Sequence, residues 1–244
     1  MNAELVAGAA DLHSWICERQ TAKPDIRARQ YPTLPKSLHG GDPVEMGYAL
    51  VLSYLKIASR IAYEIAFAFS SLPFSKGSLI LARSSVEGSA NAHHLARAFR
   101  SGEEGFLTEV LRERIWMARS SGKTVPGGES DFLRDLLCYV SDERLFPQRA
   151  EESDAKFANR VSRGRDMTNR IEALYPVAPN QGFHYGLLSG YAHVSPSAYF
   201  VGFDGDEFTI AFGAAMTALR ESTTEVCDAF GLNLDSDRFG FWFS

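Results

Sequence analysis

Residues 46–72 read MGYALVLSYLKIASRIAYEIAFAFSSL, a long and predominantly apolar stretch in a chain of 244 residues. Apolar side chains occur all round the predicted helix, a pattern typical of a helix buried at the centre of a fold. Lys56, Arg60 and Glu64 lie near its middle, and each would cost roughly 2.5–3.5 kcal/mol at the centre of a bilayer. We therefore expect the central helix of a soluble bundle, with no membrane partner.

The sequence on either side gives this helix clear ends. Asp42 suits the N-cap and Pro43 suits the first helical position, while Pro73 ends the helix. Prolines and a Gly-Gly pair before Asp42 predict a long Pro-rich loop over residues 21–42. An amphipathic pattern predicts a first helix over residues 3–20.

Helical periodicity continues downstream and then changes. Further helices are predicted over residues 75–100, 103–120, 130–140, 150–174, 181–193 and 213–230, the last capped by Gly231. Two aromatic and β-branched runs flank Asp204-Gly205-Asp206, which predicts a small β-hairpin over residues 199–212. The expected fold class is all-α: a single domain over residues 1–244, built as a bundle of about eight helices with that one hairpin.

Net charge and cysteine content limit which partners and which cellular compartment are expected. The formal net charge is −5, so there is no global basic field and no DNA-binding signature. Cys17, Cys138 and Cys227 are far apart and form no Cys-x-x-Cys pair, which fits a reducing compartment. The chain starts without a basic segment followed by an apolar run, so we expect no signal peptide and a cytoplasmic location.

Two predicted helices carry polar side chains at one-turn spacing. The first polar row is Arg83, Glu87, Asn91 and His94; the second polar row is Tyr185, Ser189 and His193. At about 100° per residue, each row falls within roughly an 80° arc. Gly182, Gly186 and Gly190 adjoin the second row and would let a neighbouring helix or a ligand approach the backbone closely. We expect the two rows to meet across helices.

These seven residues are the candidate ligand-binding site, although a satisfied core network would show the same pattern. Arg83 and Glu87 are four residues apart and can pair. In a functional site, Arg83 would clamp an anion and Glu87 would be an acidic or orienting partner. His193 or His94 would be the group that titrates near neutral pH. His193, Arg83 and Glu87 are therefore the candidate catalytic residues.

Other kinds of site find little support in the sequence. Glu87 is followed three residues later by Ala90, so the Glu-x-x-His of carboxylate-bridged metal bundles is missing, and we expect no metal and no cofactor. No Gly-x-Ser-x-Gly elbow occurs, and none of the cysteines lies in a recognisable reactive context. An arginine cluster (Arg160, Arg163, Arg165 and Arg170) is interspersed with acidic residues. It predicts a solvated mixed-charge face, with a local RNA-binding or phosphate-binding strip as the alternative.

The last ten residues, 235–244, form an aromatic tail. It contains Phe239, Phe241, Trp242 and Phe243. Four aromatic side chains are too apolar to remain in water, so the tail is expected to dock on this chain or on a partner. A homodimer formed through the tail and the hairpin is one interpretation.

The segments Leu81-Ala-Arg83-Ser-Ser-Val-Glu87-Gly-Ser-Ala and Tyr185-x-x-Leu-Ser189-x-Tyr-x-His193-Val-Ser195-Pro196 resemble the signatures of a group of bacterial helical proteins. In that group an Arg-x-x-x-Glu helix packs near a Tyr-x-x-x-Ser-x-x-x-His helix. The resemblance implies a bacterial all-helical domain, and some such proteins are compared with HEPN domains, which include toxin and defence ribonucleases. The HEPN pattern places His five to seven residues after Arg, whereas the first His after Arg83 is His93.

Three functions therefore remain open. The first is a binding or interaction module whose polar interhelical cleft takes a small anionic ligand. The second is a HEPN-like ribonuclease that cleaves RNA without a metal, with His193 as acid and base and Arg83 stabilising the developing charge. The third is a structural homodimer with no small-molecule site.

Overall fold

A computed structural model describes residues 2–21, 42–71, 77–122, 130–142, 145–175, 188–189, 207–234 and 238–239. Its helices are α1 (Asn2–Thr21), α2 (Pro43–Ser71), α3 (Gly77–Ser101), α4 (Glu103–Gly122), α5 (Ser130–Asp142), α6 (Asp154–Ser162), α7 (Met167–Leu174) and α8 (Glu207–Phe230). The all-α prediction is confirmed for this part of the chain. None of the helices described there is long and apolar enough to span a membrane.

Local signals placed helix ends correctly. The Asp42 carboxylate accepts a hydrogen bond from the Val44 amide at 2.7 Å, so Asp42 is the N-cap of α2 as predicted. At the other end of the chain, Gly231 has φ 64°, a left-handed conformation that favours glycine. The Leu232 amide then donates to the Cys227 carbonyl oxygen at 2.9 Å, which closes the Schellman motif expected at the end of α8.

The predicted β-hairpin over residues 199–212 is wrong in its second half. Residues 207–212 form the first turns of α8, and residues 199–206 lie outside the described part of the chain. Ala211, Ala215 and Leu219 are buried at four-residue spacing. Packing of this helical face overrides the strand preference of the aromatic and β-branched residues that suggested a hairpin.

The helix predicted over residues 150–174 is two helices, α6 and α7, separated by a turn at residues 163–166. Arg165 Nε in that turn donates to both carboxylate oxygens of the buried Glu113, at 2.8 and 3.1 Å. A Cβ at Gly164 would lie 2.7 Å from Arg112 Nε, so the turn needs glycine there unless Arg112 moves. The helix predicted over 181–193 is described only at residues 188–189, so the expected eight helices are not matched one for one.

The chain divides into two compact units. The first unit comprises Met1–Lys23, Ala49–Arg97 and Met167–Ser244; the second comprises Pro24–Tyr48 and Ala98–Asp166. The single domain expected over residues 1–244 stays a prediction.

Helix α2 is not enclosed on all sides. About half of its described side chains are buried, but Ile57 and Phe67 are 55% and 52% exposed. The expectation that α2 is buried all round is therefore wrong, because one face of it carries these residues together with charged side chains. Small residues let α3 approach α2 closely: a Cβ at Gly88 would lie 3.3 Å from the Tyr54 carbonyl oxygen.

The second unit has its own apolar core, in which α4 packs against both α5 and α6. Its buried side chains include Leu107, Leu111, Ile115, Leu136, Leu137, Val140, Phe157 and Val161. Arg165 lies 3.6 Å from the centre of the Trp116 ring while it binds Glu113. This arginine therefore fixes the turn after α6 onto α4.

The aromatic tail docks on its own chain where the structure describes it. Phe239 is buried, and its ring meets the edge of Trp15 on α1 at a centroid distance of 6.2 Å. Arg238 Nη2 donates to the Asp11 carboxylate of the same helix at 3.2 Å. Docking on this chain, one of the two outcomes expected, is confirmed at these residues, while the homodimer stays a prediction.

Candidate functional site

The first polar row lies on α3 in the first unit, and its first two members pair as predicted. Arg83 Nε donates to Glu87 Oε1 at 2.8 Å, and the two side chains are 21% and 30% exposed. The pair is thus neither a fully exposed surface bridge, worth only about 0.3–0.5 kcal/mol, nor fully withdrawn from solvent. A guanidinium held in this position can still meet a molecule that arrives from water.

The third member of the row, Asn91, lies in the interior and contacts a second arginine. Arg170 Nη1 on α7 donates to Asn91 Oδ1 at 2.7 Å, and both residues are buried. The mixed-charge face expected around Arg170 is therefore wrong for this residue. The sequence grouped it with Arg160, Arg163 and Arg165 because all four lie within eleven residues of one another.

Arg160 and Arg165 instead bind carboxylates of the second unit. Arg160 binds the Glu152 carboxylate, with its Nη2 2.7 Å from Oε2, and Arg165 binds Glu113. Arg119 also donates to Ser162 and Asn159 of α6. Arg160 and Arg165 belong to the second unit, which ends at Asp166, whereas Arg170 belongs to the first unit, so the predicted cluster is split between two environments.

The structure describes only two of the four remaining members of the polar rows, His94 and Ser189. His94 is half-buried on α3, and Ser189 is half-buried beside the fully buried Leu188. Tyr185 and His193 lie outside the described residues, as do the three glycines of the second row. The meeting of the two rows, and the ribonuclease reading that depends on His193, stay predictions.

Sequence reading missed a second polar group on α3. His93 and Ser89 are buried one turn apart, and neither His93 Nδ1 nor the Ser89 hydroxyl has a hydrogen-bond partner among the described residues. Burial lowers the pKa of His93, an effect that the nearby Glu225 and Glu221 carboxylates partly oppose and that Arg97 and His94 reinforce. The available signal was the recurrence of polar side chains at Ser85, Ser89 and His93, every fourth residue.

Tyr175, just after α7, contacts α8, the helix whose Glu221 and Glu225 carboxylates influence the pKa of His93. Its hydroxyl lies 3.3 Å from the Ala214 carbonyl oxygen of α8 and donates to it. Burial raises the pKa of this phenol, and the Glu221 carboxylate raises it further. Glu221 itself accepts a hydrogen bond from Arg220 Nη2 at 2.9 Å. The Tyr175 hydrogen bond therefore joins the end of α7 to α8 inside the first unit.

The described residues include no group of three or more histidine, cysteine, aspartate or glutamate side chains arranged to hold a metal ion. Comparisons with protein-family models, with curated proteins and with solved structures gave no match. The side chains of the polar row on α3, and the arginine that contacts it, are therefore the features from which a function can be proposed.

Proposed function

We propose that the first unit is a binding module that takes a small anionic molecule along the first polar row of α3. The observation that carries this proposal is the hydrogen bond from Arg170 to Asn91. It adds a second guanidinium to a row that already contains Arg83. Two arginines near one face of a helix favour a phosphate or carboxylate group, whose oxygens match the donor geometry of a guanidinium.

Burial supports a ligand-related role for Arg170. Withdrawing a guanidinium from water costs several kcal/mol even after the protein relaxes, so an anion that reached Arg170 would offset part of that cost. Asn91 accepts a hydrogen bond from this guanidinium through its amide oxygen, which helps to orient Arg170. Glu87 similarly orients Arg83, which is partly exposed.

A cytoplasmic location belongs to this proposal. Cys17, Cys138 and Cys227 are all free thiols, which is typical of proteins in a reducing compartment.

Thermal unfolding with three probes tests the binding proposal: inorganic phosphate, adenosine 5′-monophosphate and citrate, each at matched ionic strength. At a hundredfold excess over Kd, a bound anion should raise the unfolding midpoint by about 5–10 °C. Arg83→Ala and Arg170→Lys should abolish the shift. The control Arg134→Gln removes an exposed arginine of the second unit and should leave it unchanged.

Two results would overturn the proposal. One is a wild-type protein that none of the three probes stabilises. The other is a shift that persists at full size in Arg83→Ala, a partly exposed position where the substitution should not prevent folding.

A further inference from the structure

Three side chains on α1 and α2 of the first unit form a relay that ends on a thiol. His13 Nδ1 lies 2.9 Å from the Ser59 hydroxyl oxygen, and His13 Nε2 lies 3.7 Å from Cys17 Sγ. Ser59 is fully buried and donates its own proton to the Lys56 carbonyl oxygen at 3.1 Å. Because that proton is committed, the Ser59 oxygen is left to accept a hydrogen bond from His13.

This network assigns the histidine tautomer. Because the Ser59 proton is donated to Lys56, we assign the His13 proton to Nδ1, and the lone pair of Nε2 then faces Cys17. A thiol beside the lone pair of an oriented imidazole is the arrangement that activates cysteine nucleophiles. Ser59 orients the histidine base.

We propose that Cys17 is a nucleophilic thiol, with His13 as its base, that reacts with low-molecular-weight disulfides to form a mixed disulfide. His13 Nε2 accepts the thiol proton while the Cys17 sulfur attacks one sulfur of the disulfide. The new S–S bond forms as the old one breaks, and the departing thiolate takes the proton from the imidazolium. The disulfide is the only oxidant required, and a second thiol reverses the reaction.

The charges around His13 suit this role. Burial lowers its pKa, and Arg60 and Lys56 lower it further while Glu64 opposes them, so the imidazole is neutral at pH 7 and can accept a proton. Lys56 Nζ also donates to Gln20 Oε1 at 3.1 Å, three residues beyond Cys17 on α1. Positive charge in this region favours a developing thiolate.

The other two cysteines provide comparisons within the same chain. Cys138 is exposed on α5 and has no hydrogen bond to a histidine among the described residues. Cys227 is buried on α8, and burial raises the pKa of its thiol to about 12. If exposure alone controlled the reactivity of the thiols, Cys138 would react fastest. If the histidine controls it, Cys17 reacts fastest although it is half-buried.

The test treats the full chain with oxidised glutathione at pH 7 and follows each cysteine by peptide mass spectrometry. We expect Cys17 to be modified about tenfold faster than Cys138, and Cys227 not at all. His13→Gln should slow Cys17 about tenfold and leave Cys138 unchanged, with Ser59→Ala causing a smaller loss. Circular dichroism checks that each variant is folded.

The pH dependence separates base assistance from a change in accessibility. Below the usual thiol pKa of about 8.5, an unassisted thiol reacts about tenfold faster for each pH unit. We expect that slope for Cys138 and for Cys17 in His13→Gln, and a shallower slope for Cys17 in the wild type. Wild-type Cys17 reacting no faster than Cys138, with the same slope, would overturn the proposal even if no variant folded.

Discussion

Arg170 and Asn91, on α7 and α3, are joined by a 2.7 Å hydrogen bond, and their exposed fractions are 2% and 3%. They are 79 residues apart in the sequence. The contact therefore depends on the tertiary structure of the first unit. It places a charged group inside that unit, next to the polar row that the sequence had indicated.

The Arg170–Asn91 contact predicts a local effect on stability. Asn91→Ala removes the acceptor and leaves a buried donor less well satisfied, which should lower the free energy of unfolding by about 1–3 kcal/mol. Ser84→Ala, an exposed position on the same helix, should change it by less than about 0.5 kcal/mol. Urea unfolding measures both, and equal effects of the two substitutions would show that the bond is not made.

In the second unit, the Glu113–Arg165 pair should matter far more than an exposed ion pair. Glu113 is fully buried, so Glu113→Ala leaves the arginine without its carboxylate and should cost about 3–5 kcal/mol. Asp131→Asn disrupts the Arg134–Asp131 bridge, whose side chains are 59% and 80% exposed, and should cost about 0.5 kcal/mol or less. Guanidinium unfolding of both variants compares them, and similar costs would contradict the burial of Glu113.

Two glycines in helices should respond to alanine in opposite directions. A Cβ at Gly47 would lie 2.5 Å from the ring of the buried Phe106, so Gly47→Ala should destabilise the protein by about 1–3 kcal/mol. Nothing lies within 4 Å of a Cβ at Gly213 in α8, so Gly213→Ala should stabilise it by up to about 1 kcal/mol. The thermal unfolding midpoint of each variant shows whether the substitution stabilises or destabilises the protein. A stabilising Gly47→Ala would rule out the close approach of Gly47 to Phe106.

His93 should make the stability of the protein depend on pH. Its pKa in the folded state lies below the ordinary value of 6.5, so protons bind preferentially to the unfolded chain. Its contribution is therefore fully present above pH 6.5 and is lost as the pH falls below that value, through the lowered pKa. His93→Gln should therefore flatten the fall in stability on acidification.

Urea unfolding at a series of pH values checks this prediction. Glu225, Glu221, Arg97 and His94 surround His93 and are unchanged in the His93 variant. His13 also has a lowered pKa and contributes with the same sign in the wild type and in His93→Gln, so it does not affect the comparison. An identical pH dependence in wild type and His93→Gln would contradict the burial of His93.

Sequence reasoning succeeded where the cause is local. Asp42 caps α2 and Gly231 ends α8 because each needs only its neighbours to make its hydrogen bonds. It failed at residues 207–212, where packing of α8 decides between helix and strand. The pairing of Arg83 with Glu87 was predictable from their four-residue spacing on one helix.

The parts of the site that were missed come from contacts distant in sequence. Arg170 lies close in sequence to other arginines, but it belongs to the first unit whereas they belong to the second. Ser59 reaches His13 across 46 residues, so the relay to Cys17 has no sequence signature. His93 and His94 look equivalent as neighbours, yet α3 turns by about 100° between them and buries His93 more deeply.

The central claim is that Arg83 and Arg170 hold a small anion on the first unit, and isothermal titration calorimetry tests it most directly. The titrant is whichever of inorganic phosphate, adenosine 5′-monophosphate or citrate stabilises the wild type most. We predict that Arg83→Ala weakens binding at least about tenfold, or about 1.4 kcal/mol, and that Arg134→Gln leaves Kd within about twofold. An unchanged Kd in Arg83→Ala, or no measurable heat with any of the three anions, would contradict the claim.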